Sequence, residues 1–162
     1  MIYRLLAWVL ARPRVVSWLL ARAQRTPYND ITNLEGSEVY MRRWWLLNPY
    51  HDTPGLRRFD WCPVSIRVHH ILRRDHDRHL HDHPWNARTF VLKGWYLEQT
   101  EDGCNMRIRG HSAAIRYEQY HRILSVSEEG VYTMFVTGRY RGTWGFKVAG
   151  RKMPYKQYLG LE

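Results

Sequence analysis

The chain has 162 residues, of which 44% are hydrophobic and 14% aromatic, a length and composition that predict one domain with a sizeable core and exclude a disordered chain. The cysteines, Cys62 and Cys104, are too few for a disulfide framework or a cysteine-rich zinc site, which favours a reducing, cytoplasmic compartment. The net charge of +10 could attract nucleic acid, nucleotides or an anionic membrane. The arginines are dispersed and no nucleic-acid-binding motif is present, so we do not expect direct nucleic-acid binding.

Residues 1–30 form a basic extension that precedes the main domain, which we place at 31–162. Residues 1–25 contain five arginines, and the first acidic residue is Asp30. Apolar residues recur at helical spacing on both sides of Pro13, which suits the first turn of a second helix. We expect two helices packed on the main domain or on a second subunit, covering Trp8, Leu10, Leu19 and Leu20.

The basic extension also has features of a membrane-surface helix or an organellar presequence. It has no apolar stretch long enough to span a membrane, because arginines interrupt it at positions 4, 12 and 14. An apolar helical face is most often explained by packing within the protein, so a membrane partner is not the prediction here.

The hydrophobic period changes to two after about residue 38. Eight short segments rich in β-branched and aromatic residues are separated by Gly, Pro, Asn and Asp. Closely spaced strands without intervening helices predict a mainly β, antiparallel sandwich or barrel. The predicted strands are 38–47, 64–72, 89–98, 105–110, 113–117, 121–126, 131–138 and 143–148.

Six of the nine histidines lie between residues 69 and 83. In an extended chain His79, His81 and His83 would project to one face, because alternate residues share a face. On the preceding strand the apolar set includes His70, which predicts that His70 points inward while Arg67 and His69 face out. Converging neutral imidazoles are good ligands for zinc, iron, nickel or copper. The alternative is an exposed histidine-rich loop balanced by neighbouring aspartates.

The stretch HDHPWNARTFVLKG at 81–94 resembles the first motif of the cupin superfamily, with His81 and His83 as its histidine pair and Gly94 as its closing glycine. YHRILSV at 120–126 resembles the second motif, in which His121 matches a further ligand. The HDHPW motif, together with later HRI and WGF, is similar to small cupin-like proteins of phages and bacteria. The resemblance spans roughly 38–158 and implies a jelly-roll, or double-stranded β-helix, barrel, in which pairing of two copies is common.

One position departs from the cupin pattern. The glutamate ligand of the first motif would fall at Ala87, and its neighbours carry no carboxylate. The resemblance therefore implies a three-histidine set of His81, His83 and His121 for one divalent iron, zinc or nickel ion. Within the superfamily this set is similar to those of thiol dioxygenases and diketone-cleaving oxygenases. A 2-oxoglutarate hydroxylase is not expected, because no histidine is followed two residues later by a carboxylate.

Additional ligand or pocket candidates are His79, His70, Lys93 and Thr89. Lys93 would share the inward face with Thr89, yet its long side chain is better placed at the barrel rim, because burial of an unpaired ammonium is costly. Asp82, between two predicted ligands, should face away from them.

These features favour a metal-dependent cupin enzyme acting on a small organic or nucleotide-like substrate, with oxygenase chemistry first and isomerase or lyase chemistry next. The alternative is a non-catalytic cupin that binds a small anionic ligand or a protein partner, with a structural metal or none.

Overall fold

The computed structural model describes residues 1–33, 35–51 and 56–161. Its elements, in chain order, are α1 (Ile2–Leu10), α2 (Pro13–Ala23), β1 (Pro27–Thr32), β2 (Val39–Leu47), β3 (Ser65–Ile71), β4 (Ala87–Lys93), β5 (Trp95–Thr100), β6 (Gly103–Ile108), β7 (Ser112–Ile115), β8 (His121–Val126), β9 (Val131–Thr137), β10 (Gly145–Val148), β11 (Arg151–Pro154) and α3 (Tyr155–Tyr158). The predicted mainly β architecture is confirmed, while β1, β11 and α3 were not predicted.

The larger layer is a six-stranded antiparallel sheet in the order β1-β2-β3-β9-β4-β7. Opposed residues on neighbouring strands share a face, so the register defines a row across the inner face. This row contains Trp45, Arg67, Phe135 and Thr89. It places a guanidinium between two aromatic rings inside the molecule.

The other face of this sheet is covered by the N-terminal helices. Their buried residues Ala7, Val16 and Leu19 form one cluster with Phe90 and Leu92 of β4. Both faces of β3 are consequently buried, and the apolar Ile66 contacts the helix-covered cluster.

The predicted orientation of β3 is wrong. Arg67 and His69, expected to face out, are 5% and 6% exposed, and they lie in the inner rows of the sheet. His70, expected to point inward, stacks on Tyr132 and hydrogen bonds through Nε2 to the Glu129 carbonyl at 2.9 Å. The apolar side of β3 faces the helices, so hydrophobicity alone selected the wrong face as the barrel interior.

The second layer is built from two pieces that meet at His81. Strands β6-β5-β8 form one piece and β10-β11 the other. The His81 backbone makes bridges to His121 of β8 and to Phe146 of β10. Between the two layers, Ile71 and Val91 pack with Tyr96 and Ile123.

Gly94 divides the predicted strand 89–98 into β4 and β5, which belong to different layers. Its φ is +80°, in the left-handed region that favours glycine. A Cβ at this position would collide with Ser127 Oγ and lie 2.7 Å from the Gly130 carbonyl oxygen. The chain can turn between the layers here because no side chain occupies that space.

We expected the apolar residues of α1 and α2 to be covered, and only one face of the helices is buried. Leu19 is buried, and Leu10 and Leu20 are half-buried, but Trp8 is 53% exposed. The Arg12 guanidinium lies 3.8 Å from the centroid of the Trp8 ring, at the protein surface. None of the helices in the described ranges has the length and apolarity needed to cross a bilayer. The predicted boundary between residues 30 and 31 stays a prediction.

Candidate metal centre

The histidine-rich stretch is irregular rather than a strand. Between β3 and β4, His81 makes the backbone bridges of this segment, exchanging two hydrogen bonds of 2.9 Å with His121. His79 therefore does not project with its neighbours. Its Nδ1 lies 2.9 Å from the Tyr158 hydroxyl, against which its ring also packs edge-on.

His81, His83 and His121 converge in the barrel. One nitrogen from each lies within 4.8 Å of the others, and the Nε2 atoms of His83 and His121 are 2.8 Å apart. The ring of His83 stacks on Trp85 at a centroid distance of 4.6 Å. The three imidazoles are thus oriented by packing and backbone pairing toward one point, as expected for a metal site.

The third histidine is oriented by a carboxylate. The Nδ1–H of His121 donates to Glu98 Oε1 at 2.8 Å, and Glu98 Oε2 accepts from Arg107 Nε and Nη2 at 3.0 Å. Burial would raise the pKa of Glu98, but the hydrogen bond and charge of His121 and the charge of Arg107 outweigh it and lower that pKa. With Nδ1 bonded to Glu98, the ring of His121 directs Nε2 at the other histidines, as in carboxylate–histidine–metal sites.

His81 and His83 are kept neutral. Burial lowers the pKa of His81 to about 4, with Asp75 opposing and His121 reinforcing the shift. Burial also lowers the pKa of His83 well below its ordinary value, assisted by the charges of His121, His81 and Arg67. A neutral imidazole has the free lone pair that a metal ligand requires. The donor set of three imidazole nitrogens therefore fits a borderline divalent ion.

Two aspartates near the histidines accept hydrogen bonds from backbone N–H groups. Asp82 is fully buried and points away from the cluster, accepting from the Gly145 N–H at 2.7 Å and from Lys152 Nζ at 2.5 Å. Asp75 Oδ2 accepts from the Ile123 N–H at 2.7 Å and lies 3.9 Å from His81 Nδ1. Asp82 thus anchors the start of β10, and Asp75 anchors β8 two residues after His121.

The other pocket candidates have separate positions. Lys93 is exposed and forms an ion pair with Glu129 at 2.8 Å, in agreement with a rim location and not with an inward one. Thr89 is buried on the inner face, in the row that contains Phe135. His79 and His70 lie outside the three-histidine group, and Ala87 packs against a cluster of Trp85, Ile115 and Phe135. No carboxylate joins the three histidines as a fourth member within the described ranges.

Sequence reasoning missed three residues of the interior. Glu98 is a buried carboxylate in a strand, where alternation with buried Tyr96 could have identified it. Arg67 and His69 alternate with the apolar residues of β3 and were assigned to the surface. Burial of both faces of that strand cannot be recognised from its sequence.

A cavity of about 720 Å³ is lined by residues of β1, of β2 and of the segment that follows β2. Its walls include the aromatic residues Tyr28, Trp45, Tyr50 and Phe59. The three histidines are not part of its wall. Arg67 lies between the cavity and the histidines, because its guanidinium carbon is within 6.0 Å of ring centroids on both sides.

No family model and no curated protein matches this sequence. Solved structures do match the fold. A cupin 2 conserved barrel domain protein from Rhodopseudomonas palustris is 13% identical with a TM-score of 0.50, and the alignment covers 76% of this chain and 77% of that one. The chain has the cupin fold.

Two further cupin-fold structures are similar over much of the barrel. A sugar phosphate isomerase of the cupin superfamily from Silicibacter pomeroyi is 14% identical, with a TM-score of 0.50 and coverage of 75% of this chain and 74% of that one. The Fe(II) form of HppE is 13% identical with a TM-score of 0.50, and the alignment covers 67% of this chain and 55% of HppE. The predicted cupin barrel is confirmed, and the likeness to HDHPW proteins of phages stays a prediction.

Proposed function

We propose that this cupin is a metal-dependent enzyme that holds one divalent ion through His81, His83 and His121. The observation that carries the proposal is the convergence of three imidazoles within 4.8 Å, with His121 oriented by Glu98. When bound, such an ion activates oxygen or polarises a carbonyl of the substrate. The protein contributes three imidazole ligands, a fixed orientation of the His121 ring and aromatic rings packed beside His81 and His83.

Oxygenase chemistry on a small organic or nucleotide-like substrate is our first choice, and isomerase or lyase chemistry the second. Three protein ligands leave coordination positions open, as catalytic sites require, whereas structural zinc sites are closed by four. The Fe(II) form of HppE supports iron in a barrel of this shape, and the isomerase from Silicibacter pomeroyi supports sugar phosphate chemistry in one.

Metal analysis of protein purified without a histidine tag tests the site. We expect about one equivalent of a divalent transition metal for the wild type, in keeping with a single three-ligand site. His121→Ala should lose most of it, because the residue supplies one of three ligands. His79→Ala is the matched control and should keep the metal, since its imidazole is bonded to Tyr158. Full retention of metal by His121→Ala would overturn the ligand assignment.

A non-catalytic ligand-binding module is the second candidate, and one observation favours it. The described carboxylates nearest the histidines, Asp75, Asp82 and Glu98, are each engaged in hydrogen bonds that maintain the fold. None is thereby free to act as a general acid or base. Nitric oxide binding by iron-loaded protein separates the candidates: an open site gives a high-spin resonance signal, and absence of that signal removes oxygenase chemistry from first place.

A further inference from the structure

Arg67 is a buried charge without a counter-ion in the described part of the chain. It is 5% exposed, and its Nε has no hydrogen-bond partner in residues 1–33, 35–51 and 56–161. Burial lowers the pKa of this guanidinium from its ordinary value, with the charges of Tyr50 and Tyr28 opposing the shift. A buried charge is normally paired, because removal of an ion from water costs more than packing returns.

The surroundings of Arg67 are aromatic. Its guanidinium carbon lies 5.1 Å from the centroid of the Trp45 ring, 5.8 Å from Tyr50, 5.7 Å from Trp85 and 5.9 Å from Phe135. These contacts hold the side chain on the inner face without using its N–H donors. Trp85 is also the ring on which His83 stacks. The guanidinium is therefore a neighbour of the metal centre.

Among the residues that the structure describes, two further buried polar atoms beside Arg67 lack hydrogen-bond partners. These atoms are the Tyr50 hydroxyl and His69 Nε2, and His69 packs on the same Phe135 ring at 4.9 Å. Native proteins pair nearly all buried polar groups. Three unpaired polar groups that lie close together among aromatic rings favour a polar ligand as their partner.

We propose that Arg67 binds the anionic oxygen group, a carboxylate or a phosphate, of a small molecule whose body extends toward His81, His83 and His121. The guanidinium fork matches either group, and the aromatic rings suit an apolar or unsaturated body. The placement toward the histidines rests on the proposed function. Anion binding by Arg67 does not, because it follows from the unpaired groups.

Three probes with one phenyl body test the proposal: benzoate, phenyl phosphate and the neutral benzamide. Binding is measured by calorimetry and by the ligand-dependent rise in melting temperature. We expect one or both anions to bind the wild type and benzamide not to bind. Arg67→Met should lower the anion affinity about 10- to 150-fold, the range for a charged hydrogen bond. Arg67→Gln serves as a second uncharged variant in case Arg67→Met does not fold.

Arg42→Met is the matched control, because it makes the same change of side chain at an exposed position on the neighbouring β2. It should bind the anion as the wild type does. The preferred anion distinguishes a carboxylate from a phosphate ligand. Equal anion affinity in the Arg67 variants, or no binding of either anion by the wild type, would overturn the proposal.

Metal content of the same variants separates this inference from the proposed function. Arg67→Met should retain the metal, because Arg67 is not a ligand. Anion binding by a wild type that holds no metal would support Arg67 and reject the metal enzyme. Metal binding by a wild type that binds neither anion would support the metal enzyme and reject anion binding by Arg67.

An independent observation concerns the outer face of α1. Ile2, Leu5, Leu6 and Val9 lie at positions i, i+3, i+4 and i+7 and are 73%, 63%, 41% and 41% exposed. The opposite face, through Ala7, is buried on the domain. An apolar stripe of this kind on a protein surface marks an interaction site.

The positive charge of the neighbouring helix α2 indicates which kind of partner binds this apolar stripe. Arg14, Trp18 and Arg22 are spaced by one helical turn on the exposed face of α2, and no acidic residue precedes Asp30. Basic residues and an exposed tryptophan beside an apolar helical face are typical of helices that lie in an anionic bilayer surface. A second copy would place the arginines of two molecules near one another. We infer that α1 and α2 dock this cupin on an anionic membrane.

Flotation with vesicles of phosphatidylcholine, alone or in equal parts with phosphatidylglycerol, tests the membrane contact. The wild type should float with the anionic vesicles, and added salt should weaken binding. Leu5→Glu should abolish it by placing a charge in the apolar stripe. Met106→Glu is the control, because Met106 is an exposed apolar residue on β6, away from the helices.

Flotation of Leu5→Glu equal to that of the wild type would overturn the membrane proposal. Sedimentation of both proteins without lipid tests whether a second copy of the chain binds the apolar stripe instead. A wild-type dimer that Leu5→Glu converts to a monomer would assign the stripe to a second copy of the chain.

Discussion

At the scale of single residues, Glu98 of β5 connects His121 of the candidate metal centre to Arg107. Its two oxygens are shared between His121 and Arg107, so the carboxylate stays ionised and holds the imidazole in one tautomer. Partners behind metal-binding histidines raise ligand basicity and restrict ring rotation. The prediction is that Glu98 controls metal affinity without touching the metal.

Glu98→Gln tests this role. The amide removes the negative charge and weakens the acceptor for the His121 Nδ1–H, so metal affinity should fall about 10- to 100-fold, as for other such partners. Competition with a metal-sensitive dye measures the affinity. Glu101→Gln, at an exposed position paired with Lys147, should leave it unchanged. Unaltered affinity in Glu98→Gln would contradict an orienting role.

The buried histidines predict that acid destabilises the metal-free protein. Burial lowers the pKa of His69 well below its ordinary value, assisted by Arg67 and Arg43, and lowers that of His81 to about 4. Unfolded histidine takes up a proton below about pH 6.5 while these folded ones do not, so stability is full above that pH and falls below it. Each such histidine should cost about 2 kcal/mol between about pH 7.5 and 5.

Urea unfolding at these two pH values measures the loss of stability. His69→Gln should reduce the difference between them, because one protonation is removed from the unfolded state. His76→Gln, which changes an exposed histidine, should preserve it. A metal-free protein equally stable at both pH values would show that these imidazoles do not resist protonation.

At the scale of elements, Gly94 determines the passage from β4 in one layer to β5 in the other. Gly94→Ala should destabilise through left-handed backbone strain of about 1–2 kcal/mol and through its contacts with Ser127 Oγ and the Gly130 carbonyl. Overpacking of this kind adds about 1–3 kcal/mol. Gly110→Ala isolates the strain, because Gly110 has φ +83° with nothing within 4 Å of a Cβ. Chemical denaturation of both variants should show the larger loss at Gly94.

At the scale of the whole molecule, the candidate centre joins pieces that are distant in sequence. His81 bridges β8 and β10, and His121 lies on β8. A metal held there binds the folded state alone, so at about 1,000 times its Kd it should stabilise the protein by about 4 kcal/mol. That corresponds to about 10 °C in melting temperature for a chain of this size. Calorimetry with and without a chelator measures the shift, and His121→Ala should melt alike in both conditions.

The sequence by itself determined the β architecture and the three converging histidines. Strand periodicity is local, so β2, β3, β8 and β9 were predicted within one or two residues. His81, His83 and His121 could be proposed because two short motifs resemble those of cupins, and the barrel brings them together.

Only the tertiary structure decided which face of β3 is the interior, where His79 points and what holds His121. Period-two patterning separates two faces of a strand but does not say which neighbour covers each face. Here α1 and α2 bury the apolar face, so Arg67 and His69 point into the barrel. His79 bonds to Tyr158 and His121 to Glu98, contacts across 79 and 23 residues. Such contacts follow from how the layers meet in space, because no local pattern in the sequence specifies them.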